Sequence, residues 1–324
     1  SLLGAKDDNH RIVGLRLARM ADVDPLAAFE RLASDPSAAV RREVAIGLRG
    51  VEGDRADAIW ARLAQAHRAT DRWELEALGI AAQGRGDTSL WNGRLGAWLG
   101  RIGDAWKSPA GREIVWRSRA DRSPNLLCDL LDDRQVGTSE ALALIRSLDF
   151  QDPAAAAAAI RDLVTRLDAP DEKLQVILPE LAMRIDPAGG VDGKLAERIA
   201  AAAAAVPGTQ AFVDIVQRFR LQSHARELVE LAAADGTTDT VAVSALSTAL
   251  DLGAADAVRA AIAEASAAPA ETVDIRRAAA QGETPVSPAV TRATRLLSAC
   301  GLRGQGAALE IVMETLGAAE ASPE

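Results

Sequence analysis

The sequence contains no tyrosine, and aromatic residues make up only 3% of it. Sheets draw heavily on aromatic and β-branched residues, so this poverty argues against a β-rich fold, and no alternating β-branched run long enough for a sheet occurs. Cysteine is almost as scarce. Cys128 and Cys300 lie in no C-x-x-C or C-x-x-C-H, which removes zinc ribbons, thioredoxin-type redox motifs and covalent c-type haem from this segment. Both are expected to be free thiols, buried as small apolar groups. His10, His67 and His224 are too dispersed for H-x-x-x-H or a facial triad, so no metal site is expected. No apolar run approaches the roughly 20 residues that span a bilayer, so no membrane insertion is expected. A secretory n-region and h-region are also missing. Because the chain starts at Ser1 rather than Met, it is expected to be a fragment or processed product, and the missing signal says nothing of compartment.

Enzyme motifs are equally thin. There is no G-x-S-x-G elbow, no phosphate loop and no spaced Ser, His and Asp set that singles out a nucleophile. Gly304-Gln305-Gly306 resembles the start of a dinucleotide loop, but no strand precedes it and the third glycine is missing; it reads as a helix stop followed by a helix start. No cofactor is expected. The net charge of −9 is uneven: residues 1–120 carry 19 Lys and Arg against 16 Asp and Glu, and the remainder 18 against 30. That balance argues against a nucleic-acid partner while leaving room for a local basic patch on the first third.

What the sequence does contain is alanine and helical punctuation. In Asp35 to Gly50, DPSAAVRREVAIGLRG, Asp35 is placed to cap free N–H groups and Pro36 suits a first helical position. Val40, Val44 and Leu48 fall at i, i+4 and i+8, and Gly50 ends the helix. An Asp-Pro turn followed by Val40-Arg41 resembles the HEAT repeat, a helical hairpin that stacks into a solenoid. The expected fold is therefore all-α, an α-α superhelix of antiparallel helix pairs of the HEAT or armadillo-like kind.

Read in order, residues 9–20 and 24–34 make a first hairpin, and 36–49 with 54–67 a second, in which Trp60, Leu63, Ala64 and His67 share a face. Residues 71–83 carry two apolar sides, Leu75, Leu78 and Ala82 against Trp73, Ala77 and Ile80, as an interior repeat requires. Glu74 and Glu76, two apart, read as a solvated face rather than an acid–base pair. Residues 88–102 continue the pattern, 104–111 read as a loop before REIVWRSRA, and 124–132, 138–150 and 153–167 are further helices. DPAGGVDG, 186–193, is the clearest breaker, which places a boundary between an N-terminal array at 1–186 and a C-terminal array at 187–324. Beyond it come pairs at 209–221 with 223–234 and 238–252 with 254–267, an ambiguous stretch at 270–281, a loop at 282–288, a last pair at 289–300 with 305–317, and the tail ASPE.

All six tryptophans fall within residues 60–116. They form either a core of large side chains or, on the stripe of Trp91, Arg94, Trp98 and Arg101, a surface that docks a partner. Arg41 and Arg72 stand just inside repeat helices. In the HEAT pattern such an Arg links successive repeats by charge-assisted hydrogen bonds, with Asp35 and Asp71 as acceptors.

The succession DPSAAVRREVAIGLRG, DRWELEALGIAA, REIVWRSRADRSPNLLCDLLDD and ALIRSLDFQD is similar to the helical middle region of the planctomycete-type membrane-bound dehydrogenases. Those are large exported multidomain proteins with a sugar-dehydrogenase-like propeller before the HEAT repeats and a haem-binding cytochrome c domain after them. The resemblance covers residues 8–155 and implies a periplasmic or exported, monomeric, non-catalytic connector. Its partners would be proteins or neighbouring domains of the same chain; it carries over no redox residue. A second expectation is an enzyme on HEAT-like repeats, similar to the alkylpurine DNA glycosylases, with Trp and Arg exposed together in a groove. A third, a bilin-lyase-like repeat protein, rests on fold alone.

Overall fold

A computed structural model describes residues 1–21, 24–84, 89–167, 172–267 and 288–320. The described residues form 18 α-helices and a few 3-10 turns with no strand, so the fold is all-α, and none of these helices is long and apolar enough to cross a membrane. The chain divides into two units, Ser1–Ala169 and Pro170–Glu324. This division falls ahead of the 186/187 boundary read from the breaker, because the helix Glu172–Ala182 packs on helices that follow it. That helix carries Pro179 in its interior, which hides it from a pattern reading.

The first unit comprises α1 (Asp8–Met20), α2 (Leu26–Leu32), α3 (Ala38–Gly47), α4 (Asp54–Ala66), α5 (Arg72–Ala81), α6 (Trp91–Ile102), α7 (Pro109–Arg117), α8 (Ser123–Asp132), α9 (Thr138–Leu148) and α10 (Pro153–Arg166). The chain supplies a start signal for many of them. Asp7, Asp71, Ser108 and Asp152 accept hydrogen bonds from first-turn N–H groups, and Pro109 and Pro153 occupy positions where no partner is lost. Asp35 does not cap: α3 begins at Ala38, and the Asp35 carboxylate instead accepts from Ser37 N at 2.9 Å and braces the turn. The stretch expected as a loop at 104–111 holds a 3-10 turn, Gly103–Lys107, and the start of α7.

Helices α1, α3, α5, α7 and α9 form one row in which each touches the next; α2, α4 and α6 form a second row, and α8 packs on α10. Each row presents a buried stripe to the other. Val40, Val44 and Leu48 are all buried, and Gly47 lets α3 come so close to α2 that an added Cβ would sit 2.6 Å from the Phe29 ring. Trp60 anchors the middle, donating to Leu78 O at 2.9 Å and meeting Trp91 edge to face at 5.8 Å.

Polar ties join the first row at matching places. Arg11, Arg41 and Arg112 are each the fourth residue of their helix. Each reaches back to main-chain carbonyls ahead of that helix: Arg11 to Ala5 O and Lys6 O, Arg41 to Asp35 O, Arg112 to Lys107 O. Each also reaches forward to a carboxylate on, or in the turn just ahead of, the next member of the row: Arg11 to Asp35 at 2.8 Å, Arg41 to Glu74 at 2.6 Å, Arg112 to Glu140 at 2.7 Å. Only a forked guanidinium satisfies both sides at once. The expected acceptor roles are thereby reassigned. Asp35 gives Arg41 a carbonyl and its carboxylate to Arg11, while Asp71 caps α5 and lies 3.9 Å from Arg42. Arg72 pairs with Glu76 of its own helix at 2.6 Å and reaches α7 by lying over the Trp116 ring at 5.3 Å.

The second unit contains α11 (Glu172–Ala182), α12 (Gly193–Ala204), α13 (Gln210–Phe219), α14 (Ala225–Ala233), α15 (Asp239–Asp251), α16 (Ala255–Ala267), α17 (Pro288–Arg303) and α18 (Ala307–Glu320). Each helix from α11 to α13 touches the next, α15 packs on α13, α14 and α17, and α18 packs on α17. Here, too, arginines hold helix ends, with Arg218 donating to Ile185 O at 3.0 Å and Arg303 to Ser247 O at 2.6 Å. Expectations for 270–281, most of the 282–288 loop and the ASPE tail lie outside the described residues. Cys128 and Cys300 are free and buried, and burial pushes their thiols up to about 12 and about 11.

The α4–α6 contact generates a test. Arg94 is fully buried and pairs with Asp57 and with Val51 O at 2.6 Å, and a Cβ on Gly93 would collide with that same Asp57 carboxylate. Asp57→Ala is expected to cost about 3–5 kcal/mol by leaving a buried charge alone. Gly93→Ala is expected to destabilise in the same direction. Gly96→Ala, on the same helix with open space at its Cβ, should stabilise by about 0.5–1 kcal/mol. Urea midpoints for the three variants decide the matter; equal stability of the two alanine-for-glycine variants would remove the packing explanation.

Candidate functional site

Of the two readings of the Trp91, Arg94, Trp98 and Arg101 stripe, the core of large side chains holds for three of the four, and they form no partner surface. Trp98 is 1% exposed, Arg94 is 0% exposed, and Trp91 is buried against Trp60; of the four, Arg101 alone reaches solvent. Their stripe faces α4 because the apolar tryptophan faces are worth more in the core than on a rim, and Arg94 follows them in with Asp57 as its counter-ion. Trp98 and Arg101 do share one cavity, of about 270 Å³, with Gln65, His67 and Ser108. Arg101 spends its Nε on Gln65 at 2.6 Å there. The glycosylase-like expectation needed Trp91, Arg94, Trp98 and Arg101 exposed together, and it loses its supporting feature.

A different site opens on the first row, between α5, α7 and α9. A cleft of about 380 Å³ is lined by Thr70, Arg72 and Leu75 on one side, Arg112, Glu113 and Trp116 in the middle, and Glu140, Ala143 and Leu144 on the other. Its floor is apolar, and the Trp116 ring is fixed by donation from Nε1 to Ala143 O at 3.2 Å and by Arg72 above it. Its rim carries two guanidinium groups and two carboxylates, so it has no net charge to offer a polyanion.

The row of arginine ties is interrupted at the α5 side of the cleft. The fourth residue of α5 is Leu75, which cannot reach α7 by a polar tie. Glu113 of α7 takes over, bonding His67 Nε2 at 2.8 Å and accepting from Thr70 N at 3.0 Å. Thr70 is held at φ 78°, a left-handed conformation unusual for a β-branched residue and a common mark of functional loops. Arg117 adds a bond to Glu76 at 3.1 Å, lying across Gly79, where an added Cβ would sit 2.6 Å from the guanidinium.

Behind the rim, the side chain of His67 is fully buried, between Glu113 and Glu74, whose Oε2 lies 3.7 Å from Nδ1. The sequence places Glu74 on a solvated face. It is buried instead, because Arg41 and His67 converge on it from α3 and from the end of α4. Burial opposes charge on His67, but the Glu74 carboxylate 3.7 Å away and the hydrogen bond to Glu113 outweigh it and hold the imidazole above its ordinary 6.5. Burial likewise opposes the Glu74 carboxylate, and His67 and Arg41 outweigh it, holding the acid below 4.5. These charges tie helices together. Glu113 pairs with His67 and Glu140 with Arg112, and among the described residues no three His, Cys, Asp or Glu side chains are grouped to hold a metal ion.

Stability should follow these two groups with opposite signs. His67, raised in the folded state, contributes fully below its unfolded value near 6.5 and loses that contribution as pH climbs through its folded value. Glu74, depressed when folded, contributes above its unfolded value near 4.5 and loses that contribution as pH falls through its folded value. Urea unfolding against pH should therefore decline on the alkaline side of 6.5, and His67→Gln should be less stable at pH 6 and free of that decline. A decline that persists unchanged in His67→Gln would assign it to another group.

Compared with known protein families and with curated proteins, the chain matches no family model and no curated protein.

Proposed function

We propose that this chain is a non-catalytic helical-repeat scaffold of the HEAT or armadillo-like type. Its role is to connect a propeller dehydrogenase domain and a cytochrome c domain of a larger exported, periplasmic protein. The compartment and the neighbouring domains follow from the sequence resemblance. The docking role rests on the cleft between α5, α7 and α9: an apolar floor of Leu75, Trp116 and Leu144 inside a rim of paired charges suits a protein segment carrying one or two apolar side chains. The rows of helices support the same reading, since a unit built from neighbour-to-neighbour contacts presents a long face without needing a closed pocket.

The test uses the purified chain and separately expressed propeller and cytochrome c domains, titrated by calorimetry. One of the domains is expected to bind. Trp116→Ala and Ala143→Glu, both in the cleft, should weaken binding about tenfold or more, as loss of an interface anchor does. Trp73→Ala, exposed on α5 and not among the lining residues, should leave it unchanged. Binding by neither domain, binding indifferent to the cleft variants, or turnover of a sugar or a modified base by the chain alone would each overturn the reading.

A further inference from the structure

The first and last helices carry matching defects. Helix α1 exposes Val13, Leu17 and Met20, spaced i, i+4 and i+7, with Met20 83% exposed. Helix α18 exposes Leu309, Met313 and Leu316, again at i, i+4 and i+7, with Met313 62% exposed. In both helices the opposite side is in the core: Leu15 on α1, Ala308 and Ile311 on α18. An amphipathic helix that keeps a second apolar stripe in water is built like an interior member of a stack.

The charges beside the two stripes are of opposite sign. On α1, Arg16 and Arg19 flank the stripe and share a single counter-ion, Glu43, at 3.0 and 3.4 Å, leaving one positive charge in excess. On α18, Glu310 and Glu314 flank the stripe; with Asp256 they surround a single cation, Arg259, which bonds Glu314 at 2.9 Å, so negative charge is in excess. Like surfaces would repel. Unlike ones steer together and fix which end meets which.

We propose that the chain associates head to tail, the α1 face of one copy seating on the α18 face of a second copy, with the two apolar stripes in contact and the Arg16 and Arg19 edge against Glu310 and Glu314. The contact is heterologous: it joins unlike faces, so copies add in rings or in open runs rather than as a two-fold pair of like faces. It departs from the monomer expected of the sequence. Three apolar side chains on each face, set against the entropy of association, make it a weak contact, seen at about 0.1–1 mM chain.

Sedimentation and light scattering on the full chain test this, with Leu17→Asp plus Met20→Asp as the head variant and Met313→Asp plus Leu316→Asp as the tail variant. All four positions are solvent-exposed, and circular dichroism checks that both variants fold. Wild-type mean mass should rise with concentration above that of the monomer. Each variant alone should stay monomeric, and an equimolar mixture of the two, which retains one intact head and one intact tail, should form a one-to-one dimer and go no further. Glu310→Lys should weaken wild-type assembly roughly tenfold, and raising salt should weaken it too. A wild type that stays monomeric, a dimer broken by one variant only, or a variant mixture that fails to pair would overturn the proposal. So would faces occupied only by a flanking segment or by a different protein. None of these outcomes bears on the cleft, which the head and tail variants leave intact.

Discussion

The contact on which the first unit depends is the bond from Arg41 to Glu74. Its geometry, 2.6 Å between Nε and Oε1 with both side chains nearly dry, sets α3 against α5 in one register, because a slip of a single turn would strand two buried charges. Hydrophobic contact alone would fix that register poorly. Aromatic residues are 3% of the chain and much of the core is alanine, whose small side chain allows helices to slide with little change in area. Directional bonds supply what the core lacks, and arginine is the residue suited to make them. The chain has 33 arginines and 4 lysines, and a lysine in place of Arg41 could not serve a carbonyl and a carboxylate from one planar group.

The cleft lies where the same device is interrupted. Where Leu75 stands at the place of the arginine, α7 is held through Glu113 to His67 and a strained Thr70, and farther along by the Arg117–Glu76 pair. The junction leaves room for Trp116 to lie over an apolar floor with charge on both banks.

Helix-level structure is legible in the sequence because alanine, Asp-Pro turns and 3.6-residue stripes are local signals; Val40, Val44 and Leu48 share a stripe and are in the core. The long-range partners are not legible. Arg41 lies 33 residues from Glu74 and Arg112 lies 28 from Glu140, with no fixed interval to betray the pairing, and a Glu between Trp73 and Leu75 looks like any solvated residue. The tryptophan stripe shows the converse limit. Periodicity locates Trp91, Arg94 and Trp98 on one face, but whether that face looks at water or at α4 depends on Asp57, a residue whose role appears only when the helices are packed.

Cys128 and Cys300 sit one in each unit, both sealed and both with thiols too basic to ionise near neutrality. An unreactive thiol is the right kind to carry through an oxidising environment, since disulfide exchange proceeds through the thiolate. It also makes each unit its own clock. A maleimide added to the intact protein can label Cys128 or Cys300 only after the surrounding helices part, so the two labelling rates report, separately and with no residue introduced, how often each half opens.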